Sequence, residues 1–427
     1  MKLQIAKGMR DFGPEEKILR KGVVKSLVEI FELYGYSPLE TPIVERYDIL
    51  SAKFGAGKES DVMKEIFKLT DQGKRKLGLR FDLTVPFARF IGMNSGIKMP
   101  FKRYQIGEVF RDGPIKLGRY REFWQCDVDV AGVENVRADS ELICLAIDAF
   151  NKLGLDAYVE LNNRKLLRGI IEDAGIKQSI SDSVIISVDK LSKIGKSEVE
   201  KELKEKKIPV VQIKKLMKFF GFNGNNKEKI KFMKGKIKSK IGIEGLEEIE
   251  KILSYIPASK RKRVLFNLSL ARGLGYYTGP IFECFLKNSK IKSSICAGGR
   301  YDEMMESYVG RKVPMTGISF GLDVIGEALK IMNQDRKKTI VELFVIPIAG
   351  VDCSDIVDDL RGGGIRTDLD LIGRGISKNL DYANKLGIPF VLFVGPKELK
   401  LNKFKLKDMT SGKEEIINLE KIIKKLV

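Results

Sequence analysis

The sequence predicts an α+β protein: an antiparallel sheet flanked by helices, interrupted by a helical insertion and followed by a small α/β domain. Several strand-like runs between residues 66 and 130, separated by Gly, Asp and Pro, carry the first part of that expectation. Residues 201–240 hold fourteen lysines against three glutamates with only short apolar runs, which reads as a small helical insertion with a basic face. "IVELFVIPIAG" (340–350) and "IPFVLFVG" (388–395) are continuous apolar runs, as in strands buried on both faces, with helical segments between and after them.

Taken in order, residues 14–35 carry helical apolar spacing, and Pro14-Glu15-Glu16 suits a helix N-terminus. "YGYSPLETPIVER" (34–46) is a short extended segment interrupted by Pro38 and Pro42. Residues 136–154 return to helical period and end at Gly154, a suitable C-cap. Strands resume at "RVLFNLSLARGLGYYTGPIFECFL" (263–286) and lead to a helix near 322–332, after which "NQDRKK" (333–338) reads as a linker. The expected divisions are therefore 1–165, an insertion at 166–255, a return to the sheet at 256–332, and a separate domain at 336–427.

The chain has 427 residues, a net charge of +20 and no histidine. No uninterrupted apolar run of membrane-spanning length and no secretory leader pattern is found, so the cytoplasm is the expected location. A large cationic surplus favours a polyanionic partner, although a solvated lysine-rich surface gives the same number. The missing imidazole excludes Ser-His-Asp and Cys-His hydrolases and H-E-x-x-H metalloproteases. Cys126, Cys144, Cys284, Cys296 and Cys353 lack C-x-x-C spacing and read as buried thiols rather than a metal site.

The chemistry concentrates in "VFRDGPIKLGRYREFWQCDVDVAG" (109–132), where Arg111, Arg119 and Arg121 flank a Gly- and Pro-containing loop. On a strand, Phe123, Gln125, Asp127 and Asp129 share one face, and Trp124, Cys126, Val128 and Val130 the other. "LRFDLTVPF" (79–87), read as a strand, sets Arg80, Asp82 and Thr84 opposite Leu79, Phe81, Leu83 and Val85. Exposed polar alternation produces the same patterns. Ionised carboxylates accept hydrogen bonds only, so these acids suit a cationic ligand end. "ARGLGYYTGPIFE" (271–283) and "AGGRYDEMM" (297–305) add Arg272, a tyrosine pair, Arg300 and Tyr301 beside glycines. Arginines that never titrate suit an anionic transition state at phosphorus.

These residues resemble the class II aminoacyl-tRNA synthetases, in the histidyl-tRNA synthetase form. The 109–132 stretch looks like their motif 2, and "RGLGYYTG" and "AGGRYD" look like the two histidine-specific segments. "KGMRDFGPEE", "ETPIVER" and "LRFDLTVPFAR" also match, and "YANKLGIPFVLFVGPKEL" is similar to the anticodon-binding domain. The resemblance implies a six- or seven-stranded antiparallel catalytic sheet and a homodimer joined partly through residues 24–46. It implies activation of L-histidine by ATP with Mg2+ and transfer of the histidyl group to tRNA(His).

By resemblance, Arg111 meets the α-phosphate and the reacting carboxylate, and Arg272 stands opposite as a second fixed charge. Asp82, Leu83, Thr84 and Gln125 surround the α-ammonium. Asp129 and Tyr277 take the two imidazole nitrogens, with Tyr276 and Tyr301 shaping the pocket. Phe123 stacks on adenine, and Arg119 joins Arg111 on ATP. The sequence departs from the pattern at Gly113, where motif 2 usually has glutamate, and at Gly275, where aspartate is common. Val324 stands where motif 3 carries an arginine. The alternatives are a synthetase of another class II specificity and a non-catalytic relative, either like the ATP phosphoribosyltransferase regulatory subunit or a tRNA-binding sensor.

Overall fold

The computed structural model describes residues 2–52, 61–115, 120–272, 276–332 and 337–427. The chain divides into two compact units, the first comprising Met1–Arg10 and Val23–Met332, the second Asp11–Gly22 and Asn333–Val427.

The first unit is built on an eight-stranded sheet. Its strands are β1 (Ser37–Pro38), β2 (Phe101–Phe110), β3 (Glu122–Ala131), β4 (Ala157–Asn163), β5 (Val264–Phe266), β6 (Pro280–Leu286), β7 (Cys296–Arg300) and β8 (Met315–Gly321). They lie in the order β1-β2-β3-β8-β7-β6-β4-β5. The six central strands pair antiparallel, and only the short edge strands β1 and β5 run parallel to their neighbours. Expected as six or seven strands and wholly antiparallel, the sheet gains a short parallel strand at each edge.

Period 2 governs β3 as its sequence suggests: Cys126, Val128 and Val130 are buried in the core. The helix Arg137–Lys152 lays Leu142, Leu145, Ala146 and Ala149 against the sheet, all fully buried. Gly154 after it takes φ +70°, the left-handed conformation that ends a helix with least strain. Between β4 and β5 the chain is helical from Arg164–Asp173 to Ala258–Arg261. The first and a later one, Lys240–Tyr255, meet at Gly169 and Gly242, where a Cβ on Gly169 would stand 2.3 Å from the Gly242 backbone.

The strand-like reading of residues 79–87 fails after Leu79. A strand Lys76–Leu79, in a small three-stranded sheet with Val44–Arg46 and Lys68–Thr70, stops there, and a helix runs from Thr84–Met93. Asp82 Oδ1 accepts from Val85 N at 2.9 Å, and Pro86 sits in the first turn, where a missing N–H costs nothing. Arg80 is buried in the preceding bend and donates to the carbonyls of Glu108 (2.7 Å) and Thr41 (2.8 Å). Gly107 makes room for it, since a Cβ there would meet Arg80 Nη2 at 2.5 Å.

In the second unit, β9 (Leu343–Pro347), β10 (Thr367–Leu369), β11 (Phe390–Val394), β12 (Phe404–Asp408) and β13 (Glu414–Ile417) form one sheet, ordered β10-β9-β11-β12-β13. The two apolar runs become β9 and β11, which pair in parallel and are buried on both faces. Among the described residues, no helix is long and apolar enough to cross a membrane. All five cysteines are buried and free, as their spacing suggests.

Candidate active site

The polar face of β3 looks into a cavity of about 160 Å³ in the first unit. Gln125, Asp127 and Asp129 supply one wall, and Phe81, Asp82 and Thr84 arrive from the bend that opens the helix Thr84–Met93. Arg111 enters from the end of β2, and Arg272, Tyr276 and Tyr277 from the segment before β6. Ala297, Gly298 and Tyr301 come from β7 and the turn after it, and Gly317, Ile318 and Ser319 from β8.

Nine of the residues expected from sequence therefore line a single cavity: Asp82, Thr84, Arg111, Gln125, Asp129, Arg272, Tyr276, Tyr277 and Tyr301. The side chain of Leu83 does not; it is buried in the core, and its carbonyl accepts from Arg103 Nη2 at 3.0 Å. Phe123 also lies off the cavity wall, with the Arg111 guanidinium 4.9 Å above its ring. Arg119 and Gly275 fall outside the described residues. Sequence reasoning placed Asp127 on the right face but gave it no task, and it missed Ser319 and Gly317. Those two reach the site only because β8 pairs with β3, setting Ser319 beside Asp127 and Gly317 beside Asp129.

Asp129 is buried and held. Arg103, itself fully buried, places Nη2 2.7 Å from Asp129 Oδ2, and the Tyr301 hydroxyl donates a short bond to Oδ1. Gly317 is required here, because a Cβ would stand 1.8 Å from Asp129 Oδ1. Burial, then the adjacent Asp129 carboxylate, push the Tyr301 phenol well above its ordinary range, so it stays a donor. Burial also lifts Tyr276 to about 12. Its hydroxyl lies 3.4 Å from that of Tyr277.

Arg272 is anchored in a left-handed backbone conformation, φ +50°, by a bond from its N–H to Asp189 Oδ1 at 2.9 Å. Its Nε is 3.5 Å from Glu283 Oε1, and its guanidinium is 5.5 Å from the Tyr277 ring centre. Burial opposes the charge, but the Tyr277 and Glu283 oxygens outweigh it and hold the guanidinium above its ordinary value. Arg300, by contrast, is a brace. It binds Asp139 at 2.5 Å and the carbonyls of Val133 and Asn135, tying β7 to the helix Arg137–Lys152.

Gln125 Oε1, Asp127 Oδ1 and Arg272 Nη1 are buried on this cavity with no hydrogen-bond partner among the described residues. Two acceptors and one cationic donor left open in one chamber fit a small ligand with a positive and a negative end. An amino acid has that form.

The family model described as histidyl-tRNA synthetase matches residues 8–325, and that of the anticodon-binding domain matches residues 342–427. The chain belongs to the histidyl-tRNA synthetase family. It is 41% identical to Histidine--tRNA ligase 1 of Bacillus cereus over 419 residues, 97% of each chain. It is likewise 41% identical to Histidine--tRNA ligase 2 of Shouchella clausii, covering 96% of this chain and 97% of that one. The crystal structure of histidyl-tRNA synthetase from Nostoc sp. PCC 7120 superposes with a TM-score of 0.87 at 29% identity, covering 100% of both chains.

Two departures from the histidyl-tRNA synthetase pattern have a visible setting. At Gly113 a Cβ would stand 2.6 Å from the Glu65 carboxylate, which fills the space a side chain would need. Val324 is half-buried in the first turn of the helix Leu322–Ile331, beside Asp323, whose carboxylate binds Arg10 at 2.7 Å.

Proposed function

We propose that this chain activates L-histidine with ATP as histidyl-adenylate and passes the histidyl group to tRNA(His). In the first step a carboxylate oxygen of histidine attacks the α-phosphorus, forming the acyl phosphate bond as pyrophosphate leaves. In the second, a hydroxyl of the terminal tRNA ribose attacks the acyl carbon and AMP leaves. Neither step needs an imidazole from the protein. Arg111 and Arg272 hold the two anions together and stabilise the charge that builds at phosphorus. Asp82, Thr84 and Gln125, with Leu83 behind them, receive the α-ammonium. Asp129 and Tyr277 face the imidazole nitrogens between Tyr276 and Tyr301. A site built to pair both nitrogens rejects an apolar isostere by leaving buried groups unpaired. Phe123 and Arg119 complete the nucleotide side.

Magnesium would accompany the nucleotide and would neutralise phosphate charge there. Among the described residues no group of three or more His, Cys, Asp or Glu side chains could cage a metal, so the ion would arrive with the nucleotide. The matched anticodon-binding domain and the charge of +20 support tRNA as the polyanionic partner. Exposed Ile43 and Val44 support a homodimer through residues 24–46, and the free cysteines fit the reducing cytoplasm. The non-catalytic alternatives are not favoured, because the relatives matched over nearly the whole chain are named as ligases and Arg272 is in place.

The observation that carries the proposal is the open set Gln125 Oε1, Asp127 Oδ1 and Arg272 Nη1 in one chamber. ATP–pyrophosphate exchange tests it: histidine should support exchange and the other amino acids should not. Binding of tRNA without exchange would favour the sensor reading instead.

A further inference from the structure

The cavity holds three carboxylates, Asp82, Asp127 and Asp129, and they are not equally engaged. Asp82 Oδ1 caps Val85 N. Asp129 meets Arg103 with one oxygen and the Tyr301 hydroxyl with the other. Asp127 is only 3% exposed, yet its Oδ1 has no partner among the described residues. A polar atom buried without a partner is costly, and an ionised one more so, unless a ligand completes it. Midway along the polar face of β3, Asp127 lies between Gln125 and Asp129, and all three line the same cavity.

We infer that Asp127 is a direct substrate ligand, its Oδ1 accepting an N–H from the bound amino acid, while Asp129 is largely spent on Arg103 and Tyr301. This rests on the histidine reading above and adds a specificity-determining residue to it. The donor is either the ammonium or the imidazole N–H, the same chemistry at two ends of one molecule.

The electrostatics agree. Burial first, then the Asp129 carboxylate, raise the Asp127 carboxyl to about 7, with Arg103 and Ser319 opposing and Asp82 adding to the rise. Arg80, Tyr276 and Cys296 are the other titratable groups that feel it. The folded value lies above the unfolded one, so the associated stability is fully present below the ordinary carboxylate range. It is lost as pH rises towards about 7. A cationic ligand reverses the penalty by pairing with the ionised form.

Exchange kinetics and binding by Asp127→Asn, with Asp127→Ser as a second variant, test this in the full-length protein. Histidine-dependent exchange by the parent protein is the control: without it the histidine reading itself fails, whatever the variants do. Given that control, KM for histidine should rise about 10- to 100-fold, the loss expected for one charged hydrogen bond, while KM for ATP stays within about twofold. Melting temperature above pH 7 should not fall, because the substitution removes a burdened charge. The parent's kcat/KM for histidine should decline below pH 7 by a component that Asp127→Asn lacks.

Imidazolepropionate, which has no ammonium, and histidinol, which has both nitrogen groups, locate the donor. Weaker binding of both analogues to Asp127→Asn puts the contact on the ring, and weaker binding of histidinol alone puts it on the ammonium. An unchanged KM for histidine in folded variants, identical pH profiles, or unaltered affinity for both analogues would each overturn the inference.

Discussion

The eight-stranded sheet and the five-stranded sheet differ in what they bury. The five-stranded sheet alternates Leu343, Val345, Leu392 and Val394 on one face with Phe344, Ile346, Val391 and Phe393 on the other, all apolar. Asp370, just past β10, accepts from the backbone of Ile372 and Arg374 and from the Asn379 amide, and against the opposing effect of burial these bonds hold it below its usual range. The eight-stranded sheet buries Arg103, Asp127 and Asp129 on adjacent strands. Part of that polarity, at Gln125, Asp127 and Arg272, is left open. The open groups of the first sheet lie on the cavity and await a partner from outside, whereas Asp370 in the second unit is paired within the chain. Burying an open charge destabilises a fold, so its presence marks where a ligand completes the structure.

That contrast can be broken from either side. The largest effect is expected at Arg272→Ala, which removes the open cation. Histidine-dependent pyrophosphate exchange should fall by about 10²–10³-fold in a variant that still folds. Near-parental exchange would remove Arg272 from the chemistry. In the other sheet, Leu392→Ala should cost about 2–5 kcal/mol of unfolding free energy by leaving a cavity. Denaturant titration of the second unit's transition measures this, and no shift would mean that the site collapses freely. Gly317→Ala drives a Cβ onto Asp129, with an expected cost of about 1–3 kcal/mol of stability and a raised KM for histidine. A parental KM would show that Asp129 moves without consequence. Ile416→Ala, on the 67% exposed rim of the five-stranded sheet, should stay within about 0.5 kcal/mol.

How far this was legible in sequence follows the length and regularity of the elements. The polar stripe Gln125, Asp127 and Asp129 could be read because β3 is a continuous ten-residue strand that keeps period 2. The parallel core of the second unit was visible in two uninterrupted apolar runs for the same reason. Residues 79–87 misled, since alternation suggested a strand where Asp82 and Pro86 carry a helix-start signal. The turn brings Phe81 to the cavity together with Asp82 and Thr84, which strand geometry would have set on opposite faces.

Gly317 and Ser319 were out of reach. Nothing local to them encodes pairing with a strand that ends at Ala131, so their part in the site is a property of topology. Arg80 and Arg300, to which the sequence reading gives no role, act as braces whose partners are carbonyls and Asp139.

A crystal structure of the protein with histidine and a non-hydrolysable ATP analogue tests the whole account most directly. The imidazole should sit against β3 within hydrogen-bond reach of Tyr277 and an Asp127 or Asp129 oxygen, with the carboxylate between Arg111 and Arg272. Histidine seated elsewhere, or its carboxylate turned away from Arg272 towards the β3 acids, would contradict it.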